Sequence, residues 1–292
     1  MTTSTSPSGR IRSLSEVKAS YGNIICDVWG VLHNGVRVYE HAAQALIRFR
    51  QYGGRVVMIT NSPRPADGVV KQFAELGVPD GVFDAVVTSG DATRHLIART
   101  DGPFYHLGPD RDLPLFETLD VKLVEENACA AIVCTGLEHD EHETPDDYQS
   151  RLQALVDRGV PMICANPDIV VERGDRLIYC AGALAKLYEE LGGTTLVAGK
   201  PNKPIYDLAM EKLETIAGAA QEKADVLAIG DGMPTDVKGA QDNGFPLLYI
   251  SAGIHSADYG PADAPDEDRL HAFLKAHDAD PTVWMPRLVW ID

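Results

Sequence analysis

Short apolar runs alternate along this chain with segments whose apolar residues recur at helical spacing. Such runs are typical of strands buried on both faces. They are predicted at residues 24–28, 55–59, 83–88, 103–107, 130–134, 161–165, 195–198, 225–229 and 247–250. Helices are predicted at residues 40–51, 63–76, 91–98, 145–157, 204–217 and 267–276. Alternating strands and helices predict an α/β fold with parallel sheets and right-handed crossovers.

The order of these elements predicts two α/β units, one inserted in the other. We expect a core domain formed by residues 1–85 and 195–292, and a cap domain formed by residues 86–194. Residues 247–250 are predicted to be the last core strand, with the remaining tail packed outside it. The Ser/Thr-rich residues 2–9 predict a tail without fixed structure.

Composition narrows the class of protein. The chain has 292 residues, 45% of them hydrophobic and 24% charged, which suffices for two domains with buried cores. No apolar run has membrane length and the start lacks a signal-peptide stretch, so we expect a cytoplasmic protein without a membrane partner. The five cysteines lack CxxC spacing and are predicted to be reduced core residues. A net charge of -17 argues against nucleic acid as a partner.

Polar residues follow several of the predicted strands, at the edge where open α/β sheets bind ligands. They are Asp27, Thr60, Asn61, Lys200, Asp231 and Asp236. Each has a plainer explanation by itself, as a turn former, a helix cap or a surface charge. Together they suit phosphoryl transfer, which needs a nucleophile, donors to phosphoryl oxygens and carboxylates that hold magnesium. We interpret His139 and His142 as parts of a solvated acidic loop.

Four motifs in this order resemble those of the haloacid dehalogenase (HAD) superfamily, specifically its class IIA phosphatase branch. They are DVWGVLHNG at residues 27–35, VVMITNS at 56–62, AGKPNKP at 198–204 and IGDGMPTD at 229–236. ANPD at residues 165–168 and CAGA at 180–183 resemble the cap segment that precedes the third motif in that branch. The resemblance covers residues 23–253. It implies a Rossmann-like parallel-sheet core with an inserted α/β cap.

The resemblance also implies roles for individual residues. Asp27 would be the nucleophile that forms an aspartyl phosphate, which water then hydrolyses, and Lys200 would orient it. Phosphoryl oxygens would be bound by Thr60, Asn61 and Ser62. Mg²⁺ would be bound by the side chains of Asp27 and Asp231 and by the backbone carbonyl of Trp29. Asp236 would support Lys200 or a metal-bound water without binding the metal itself. The first strand would lie between the strands that precede Thr60 and Asp231.

One position departs from the family pattern. Family phosphatases carry a second Asp two residues after the nucleophile, as the acid/base for the leaving oxygen, and here that residue is Trp29. Indole cannot transfer that proton, although the backbone carbonyl can still bind a metal. Either His33 substitutes, or the substrate has a good leaving group, or the reaction has changed. Superfamily dehalogenases carry an aromatic residue at this position, but they use no metal and a different cap.

Phosphate ester hydrolysis is therefore the favoured hypothesis. The alternatives are a metal-independent dehalogenase-like hydrolase and a catalytically silent protein that binds phosphorylated ligands. The resemblance implies small phosphorylated metabolites as substrates, such as sugar phosphates, nucleotides or vitamin B6 phosphates. Asn166 and Asp168 are candidates for leaving-group contacts, with an ordinary Asn-Pro-Asp turn as the alternative. The resemblance also makes a homodimer an expectation.

Overall fold

The structure is a computed structural model that describes residues 9–292. Contacts between its residues divide it into two compact units. The first unit contains the described chain up to Ile59, together with Leu76–Ala85 and Ala209–Asp292. The second contains Thr60–Glu75 and Val86–Leu208. The predicted α/β class with parallel sheets is confirmed.

Strands and helices alternate through most of the described chain. The strands are β1 (Gly9–Arg10), β2 (Asn23–Asp27), β3 (Arg55–Thr60), β4 (Ala85–Thr88), β5 (Phe104–Leu107), β6 (Ala131–Cys134), β7 (Met162–Cys164), β8 (Val170–Arg173), β9 (Arg176–Tyr179), β10 (Thr195–Val197), β11 (Val226–Gly230), β12 (Leu247–Ile250) and β13 (Val283–Met285). The α-helices are α1 (Glu40–Gln51), α2 (Ala66–Leu76), α3 (Ser89–Ile97), α4 (Gln149–Asp157), α5 (Ala181–Glu190), α6 (Lys203–Ala217), α7 (Lys238–Asn243), α8 (Ser256–Tyr259) and α9 (Glu267–Ala276).

A seven-stranded sheet has the order β1-β13-β12-β11-β2-β3-β4. All five residues of β2 are buried, and the apolar residues Ile24, Ile25 and Cys26 are buried as predicted. Strand β2 pairs in parallel with β11 on one side and β3 on the other, so the predicted central position of the first strand is confirmed. In this register Asp27, the last residue of β2, lies beside Ile59.

The prediction that residues 247–250 form the last core strand is wrong. Strand β13 pairs with β12 and adds the buried side chains of Trp284 and Met285 to the sheet, and β1 pairs with β13. Strands of three and two residues are too short to produce a periodic pattern in the sequence. Of the stretch predicted to lack fixed structure, Gly9 begins β1, and residues 2–8 lie outside the described residues.

The second unit has its own parallel sheet, with the order β10-β7-β6-β5. Helices α4 and α5 contribute Leu152, Leu155, Leu184 and Tyr188 to its core. Helix α5 and the antiparallel hairpin β8–β9 were not among the predicted elements. All five cysteines are buried and none forms a disulfide, as predicted. Among residues 9–292, no helix has both the length and the apolar character needed to cross a membrane.

Candidate active site

The nucleophile candidate, Asp27, is the end of β2 and is only 5% exposed. The chain turns sharply after it, because the amides of Leu32 and His33 both donate to the carbonyl of Val28, at 2.8 and 3.2 Å. Gly30 within this turn has φ +82°, which an L side chain rarely adopts. The turn therefore keeps Asp27 at the carboxyl end of its strand.

Asp231 follows β11, the neighbour of β2, and is also 5% exposed. Its Oδ2 accepts a hydrogen bond of 2.9 Å from the amide of Ile254, in the loop after β12. Two glycines make room for this carboxylate. A Cβ atom on Gly30 would lie 2.3 Å from Asp231 Oδ2, and one on Gly253 would lie 1.9 Å from it. The carboxylate is thus enclosed by backbone on two sides.

Asp236 is positioned by a single wide helical turn, Met233–Val237. Its amide donates to the carbonyl of Gly232 at 2.9 Å, and its Oδ2 accepts from the amide of Gly232 at 3.0 Å. A Cβ atom on Gly230 would lie 2.3 Å from Asp236, so only glycine fits there. Gly230, in the fourth motif, thus lets the backbone approach the side chain of Asp236.

Asp27, Asp231 and Asp236 come together in the first unit. Each offers a carboxylate oxygen within 4.8 Å of the others, and all three are buried. Three carboxylates this close repel one another unless a cation or protons compensate them. An all-oxygen, anionic donor set fits a hard divalent cation such as Mg²⁺. These residues therefore have the chemistry needed to hold the expected metal.

The second unit contains the other predicted site residues. The side chain of Asn61, which is 2% exposed, bonds the backbone of Lys200. Asn61 Oδ1 accepts from the Lys200 amide at 2.8 Å, and Asn61 Nδ2 donates to the Lys200 carbonyl at 3.3 Å. The same nitrogen donates to Asp168 Oδ1 at 2.8 Å. Asn61 thereby connects the second motif, the third motif and the ANPD segment.

Thr60 and Ser62 shape the loop after β3. Thr60 Oγ1 accepts from the amide of Ser62 at 3.2 Å, and Ser62 Oγ accepts from the amide of Arg64 at 3.3 Å. These local bonds are typical of a tight turn made by hydroxyl side chains. Because its oxygen accepts in this turn, the Thr60 hydroxyl keeps its proton for donation elsewhere.

The ANPD segment forms an ordinary Asn-Pro-Asp turn, which the sequence analysis gave as the alternative to leaving-group contacts. Asn166 Oδ1 accepts from the amide of Asp168 at 3.2 Å, as in an Asx turn. The start of α5 packs closely against this turn, since a Cβ atom on Gly182 would lie 2.2 Å from the Pro167 carbonyl oxygen. The glycine of the CAGA segment is thus explained by close backbone approach.

Trp29, the unusual residue, lies against its own loop. Its indole and the His33 ring meet edge to face with centroids 5.0 Å apart. A Cβ atom on Gly35 would lie 2.5 Å from the indole. His33 is fully buried, its Nδ1 accepts from the Gly35 amide at 3.0 Å, and burial lowers its pKa to about 4. At neutral pH His33 is therefore an uncharged ring that supports the loop.

Sequence reasoning missed the loop after β12. Gly253 and Ile254 follow the buried strand and supply space and a backbone donor to Asp231. The available signal was the Ser-Ala-Gly sequence directly after a strand, because Ser and Gly are residues that favour turns.

Comparison with known proteins decides the family. The family model described as haloacid dehalogenase-like hydrolase matches residues 24–122, and a second, HAD-hydrolase-like model matches residues 197–274. A solved structure of a hydrolase of the haloacid dehalogenase-like family from Brucella suis 1330 is 49% identical to this chain, with a TM-score of 0.87. That match covers 96% of this chain and 100% of the other. The chain belongs to the haloacid dehalogenase-like hydrolases.

Curated relatives of this hydrolase include two phosphatases. One is the ribonucleotide monophosphatase NagD of Escherichia coli K12, 26% identical over 242 residues, covering 81% of this chain and 90% of NagD. The other is an acid sugar phosphatase of Staphylococcus haemolyticus, 25% identical over 258 residues, covering 87% of this chain and 93% of the relative. The resemblance inferred from the four motifs, and the prediction of an HAD-type enzyme, are confirmed.

Proposed function

We propose that this hydrolase releases phosphate from small phosphate monoesters in a Mg²⁺-dependent reaction, with Asp27 as the nucleophile. The observation that carries the proposal is the buried cluster of Asp27, Asp231 and Asp236, at the ends of two adjacent parallel strands. The superfamily resemblance supports it, as do two curated relatives that are phosphatases.

In the proposed reaction Asp27 attacks the phosphorus atom, and the bond from phosphorus to the leaving oxygen breaks. Water then attacks the aspartyl phosphate at phosphorus, which releases inorganic phosphate and restores the carboxylate. The Thr60 hydroxyl and the backbone amide of Asn61 donate to phosphoryl oxygens, with Ser62 beside them. The ammonium group of Lys200 offsets negative charge and orients Asp27.

Asp27, Asp231 and the backbone carbonyl of Trp29 would hold the metal ion, with Asp236 next to them. When bound, Mg²⁺ supplies positive charge that offsets the repulsion between the carboxylate and the phosphoryl group. The three acids have the required donor chemistry, and Asp231 and Asp236 are each fixed by a backbone amide. We assign Asp27 to both nucleophilic and metal-binding roles, as the family pattern implies.

The leaving oxygen lacks an obvious proton donor. Trp29 offers only an indole N–H, and the burial of His33 keeps its ring uncharged at neutral pH. We therefore assign His33 to support of the loop. We propose that the enzyme prefers phosphate esters with good leaving groups, whose departing oxygen needs little protonation in the transition state.

The names of the relatives indicate broad classes of phosphate monoester as candidate substrates. NagD acts on ribonucleotide monophosphates and the Staphylococcus enzyme on sugar phosphates, according to their names. We include both classes, and vitamin B6 phosphates, among the candidate substrates. Asn166 and Asp168 remain candidates for leaving-group contact, although Asn166 already caps its own turn and Asp168 already accepts from Asn61.

One observation favours a second candidate. An aromatic residue two positions after the nucleophile also occurs in superfamily dehalogenases, and here Trp29 is that residue. A dehalogenase needs no cluster of carboxylates, and this chain has three within 4.8 Å. The cluster therefore favours the phosphatase over a hydrolase that acts at carbon.

The experiment that tests the proposal measures phosphate release from 4-nitrophenyl phosphate and from a panel of sugar phosphates, nucleotides and vitamin B6 phosphates, with Mg²⁺ and with chelator. We expect release only with Mg²⁺, loss of release in Asp27→Asn, and unchanged release in Asp242→Asn. Asp242 is a matched control because it is a half-exposed acid paired with Lys238. Halide release from haloacids that persists with chelator would instead establish the second candidate.

A further inference from the structure

We propose that Tyr259, assisted by Tyr249, is a positioning residue that holds the loop of residues 251–254 so that its backbone bonds the carboxylate of Asp231. The inference deepens the proposed function and rests on Asp231 being a ligand of the divalent cation. It concerns three buried residues of the first unit, Asp231, Tyr249 and Tyr259. Hydrogen bonds to the backbone of residues 251–254 connect the tyrosine hydroxyls to the carboxylate of Asp231.

The two phenols form a directed chain of hydrogen bonds. The Tyr259 hydroxyl donates to the carbonyl of Ser251 at 2.7 Å, and the two hydroxyl oxygens lie 3.0 Å apart. Each phenol has one proton, so Tyr249 must be the donor to Tyr259. Burial raises the pKa of Tyr259 to about 12 and that of Tyr249 above its usual range. Both groups therefore stay protonated at any physiological pH, and the chain keeps its direction.

The loop is held from two sides. The amides of Ser251 and Ala252 donate to the carbonyls of Met285 and Pro286, at 3.0 and 2.9 Å, which anchors the loop to the chain at the end of β13. The Tyr259 hydroxyl fixes the carbonyl of the same Ser251. With the backbone amide and the backbone carbonyl of Ser251 both bonded, the direction in which the chain leaves β12 is determined.

That direction matters because little space separates the loop from Asp231. The amide of Ile254 donates to Asp231 Oδ2 at 2.9 Å, three residues after Ser251. Gly253 between them approaches so closely that a Cβ atom would lie 1.9 Å from the same oxygen. A small shift of the loop therefore changes the position of a carboxylate oxygen, and metal affinity is sensitive to how the groups behind the ligands orient them.

Packing alone does not require hydroxyl groups at these positions. The rings of Tyr249 and Tyr259 are fully buried, and the Tyr259 ring meets the ring of Phe273 from α9 edge to face, with centroids 5.3 Å apart. Phenylalanine would fill the same space without burying a polar group. The hydroxyls are accounted for by the Ser251 carbonyl, which needs a donor inside the protein.

The test compares Mn²⁺ binding, as a probe for the divalent site, in the full chain and in Tyr259→Phe, using electron paramagnetic resonance titration. We expect the dissociation constant to rise about 3- to 10-fold, less than the 10- to 100-fold typical of groups bonded directly to a metal ligand. Tyr249→Phe leaves the Ser251 bond in place and should produce a smaller rise. Tyr188→Phe is the matched control, because Tyr188 is also fully buried and also donates to a backbone carbonyl, that of Val160, in the second unit.

Each outcome decides the inference. A rise in Tyr259→Phe, with Tyr188→Phe unchanged, supports it. Unchanged Mn²⁺ binding in a folded Tyr259→Phe overturns it, while leaving the proposed phosphatase intact. If Tyr259→Phe does not fold, Tyr249→Phe is judged by the same criterion. A wild-type chain that binds no Mn²⁺ overturns the proposed metal site itself, and the inference with it.

Discussion

The side-chain amide of Asn61 bonds both backbone polar groups of Lys200, a residue 139 positions further along the chain. The two bonds fix which end of the amide is oxygen, because the Lys200 amide can only donate and its carbonyl can only accept. The nitrogen of Asn61 also donates to Asp168. One side chain thus fixes the backbone at Lys200, from which the proposed charge-neutralising ammonium group extends.

Asn61→Asp is predicted to impair both folding and activity. The variant has the same shape, but its second oxygen would face the Lys200 carbonyl and the Asp168 carboxylate where a donor is needed. We expect a loss of about 1–3 kcal/mol in the free energy of unfolding, the usual cost of leaving a buried partner unsatisfied. Urea unfolding and steady-state phosphate release measure the two effects.

Asn202→Asp is the matched control for this change. Asn202 lies two residues after Lys200, is exposed, and donates to the Gly199 carbonyl at 3.1 Å. Solvent can replace that bond, so we expect little change in stability. Equal losses in the two variants would contradict a special role for Asn61.

Gly30→Ala is predicted to weaken divalent-cation binding, because the new Cβ atom would lie 2.3 Å from Asp231 Oδ2. Gly53→Ala separates this contact from backbone strain, since Gly53 has φ +79° and no atom within 4 Å of an added Cβ, compared with φ +82° at Gly30. Both variants should lose about 1–2 kcal/mol of stability from the left-handed conformation. Only Gly30→Ala should also lose Mn²⁺ affinity and phosphate release. Equal metal binding in the two variants would contradict the prediction.

Stability is predicted to fall as the pH falls below about 6.5, in part through His106. Burial lowers the pKa of His106, and the weaker effects of Asp110 and Glu138, which favour the protonated ring, do not reverse this. Below the unfolded-state pKa, the unfolded chain takes up a proton that the folded chain does not. The contribution of His106 to stability is therefore fully present above the pKa that His106 has in the unfolded chain. It is lost as the pH falls through the lower pKa that His106 has in the folded chain.

Urea unfolding of wild type and His106→Gln at about pH 7.5 and about pH 5.5 measures this contribution. We expect the stability advantage of the wild type to be smaller at the lower pH. His95→Gln provides the comparison, because it removes a histidine that is exposed. A constant difference for His106→Gln would show that its ring does not titrate differently on folding.

The sequence was sufficient to predict the parts of the fold that produce strong local patterns. The apolar residues Ile24, Ile25 and Cys26 form the centre of the buried strand β2, and helix α1 has the predicted bounds because glycines follow it at positions 53 and 54. The acids of the first and fourth motifs were found because each follows such a run. Strand order added the expectation that they converge, and they do.

The remaining features depend on contacts between distant segments, which no local pattern records. The amide of Ile254 bonds Asp231, and Asn61 bonds Lys200, only because the fold brings them together. The Tyr249–Tyr259 pair resembles any two core aromatics in the sequence. The low pKa of His33 results from complete burial in a turn that composition alone predicts to be exposed.

The wild type is predicted to depend strongly on the leaving group, because the resemblance to the family motif assigns Trp29 to the position of the acid that would protonate the departing oxygen. We expect 4-nitrophenyl phosphate to be hydrolysed much faster than alkyl phosphates. Trp29→Asp restores a carboxyl group at the position of the family acid. It should raise kcat for alkyl phosphates, with general acid catalysis typically contributing about 10²–10⁴-fold, and change the aryl phosphate rate little.

The two substrates separate a restored acid from a general change in the loop. Removing the indole also removes its contacts with His33 and Gly35, so Trp29→Phe serves as the control that keeps an aromatic ring without adding an acid. Trp29→Phe should retain the wild-type ratio of aryl to alkyl rates, whereas Trp29→Asp should reduce it. If the wild-type ratio is already small, some other group protonates the leaving oxygen. Because His33 is uncharged at neutral pH, that group would have to come from the substrate, from water or from another part of the chain.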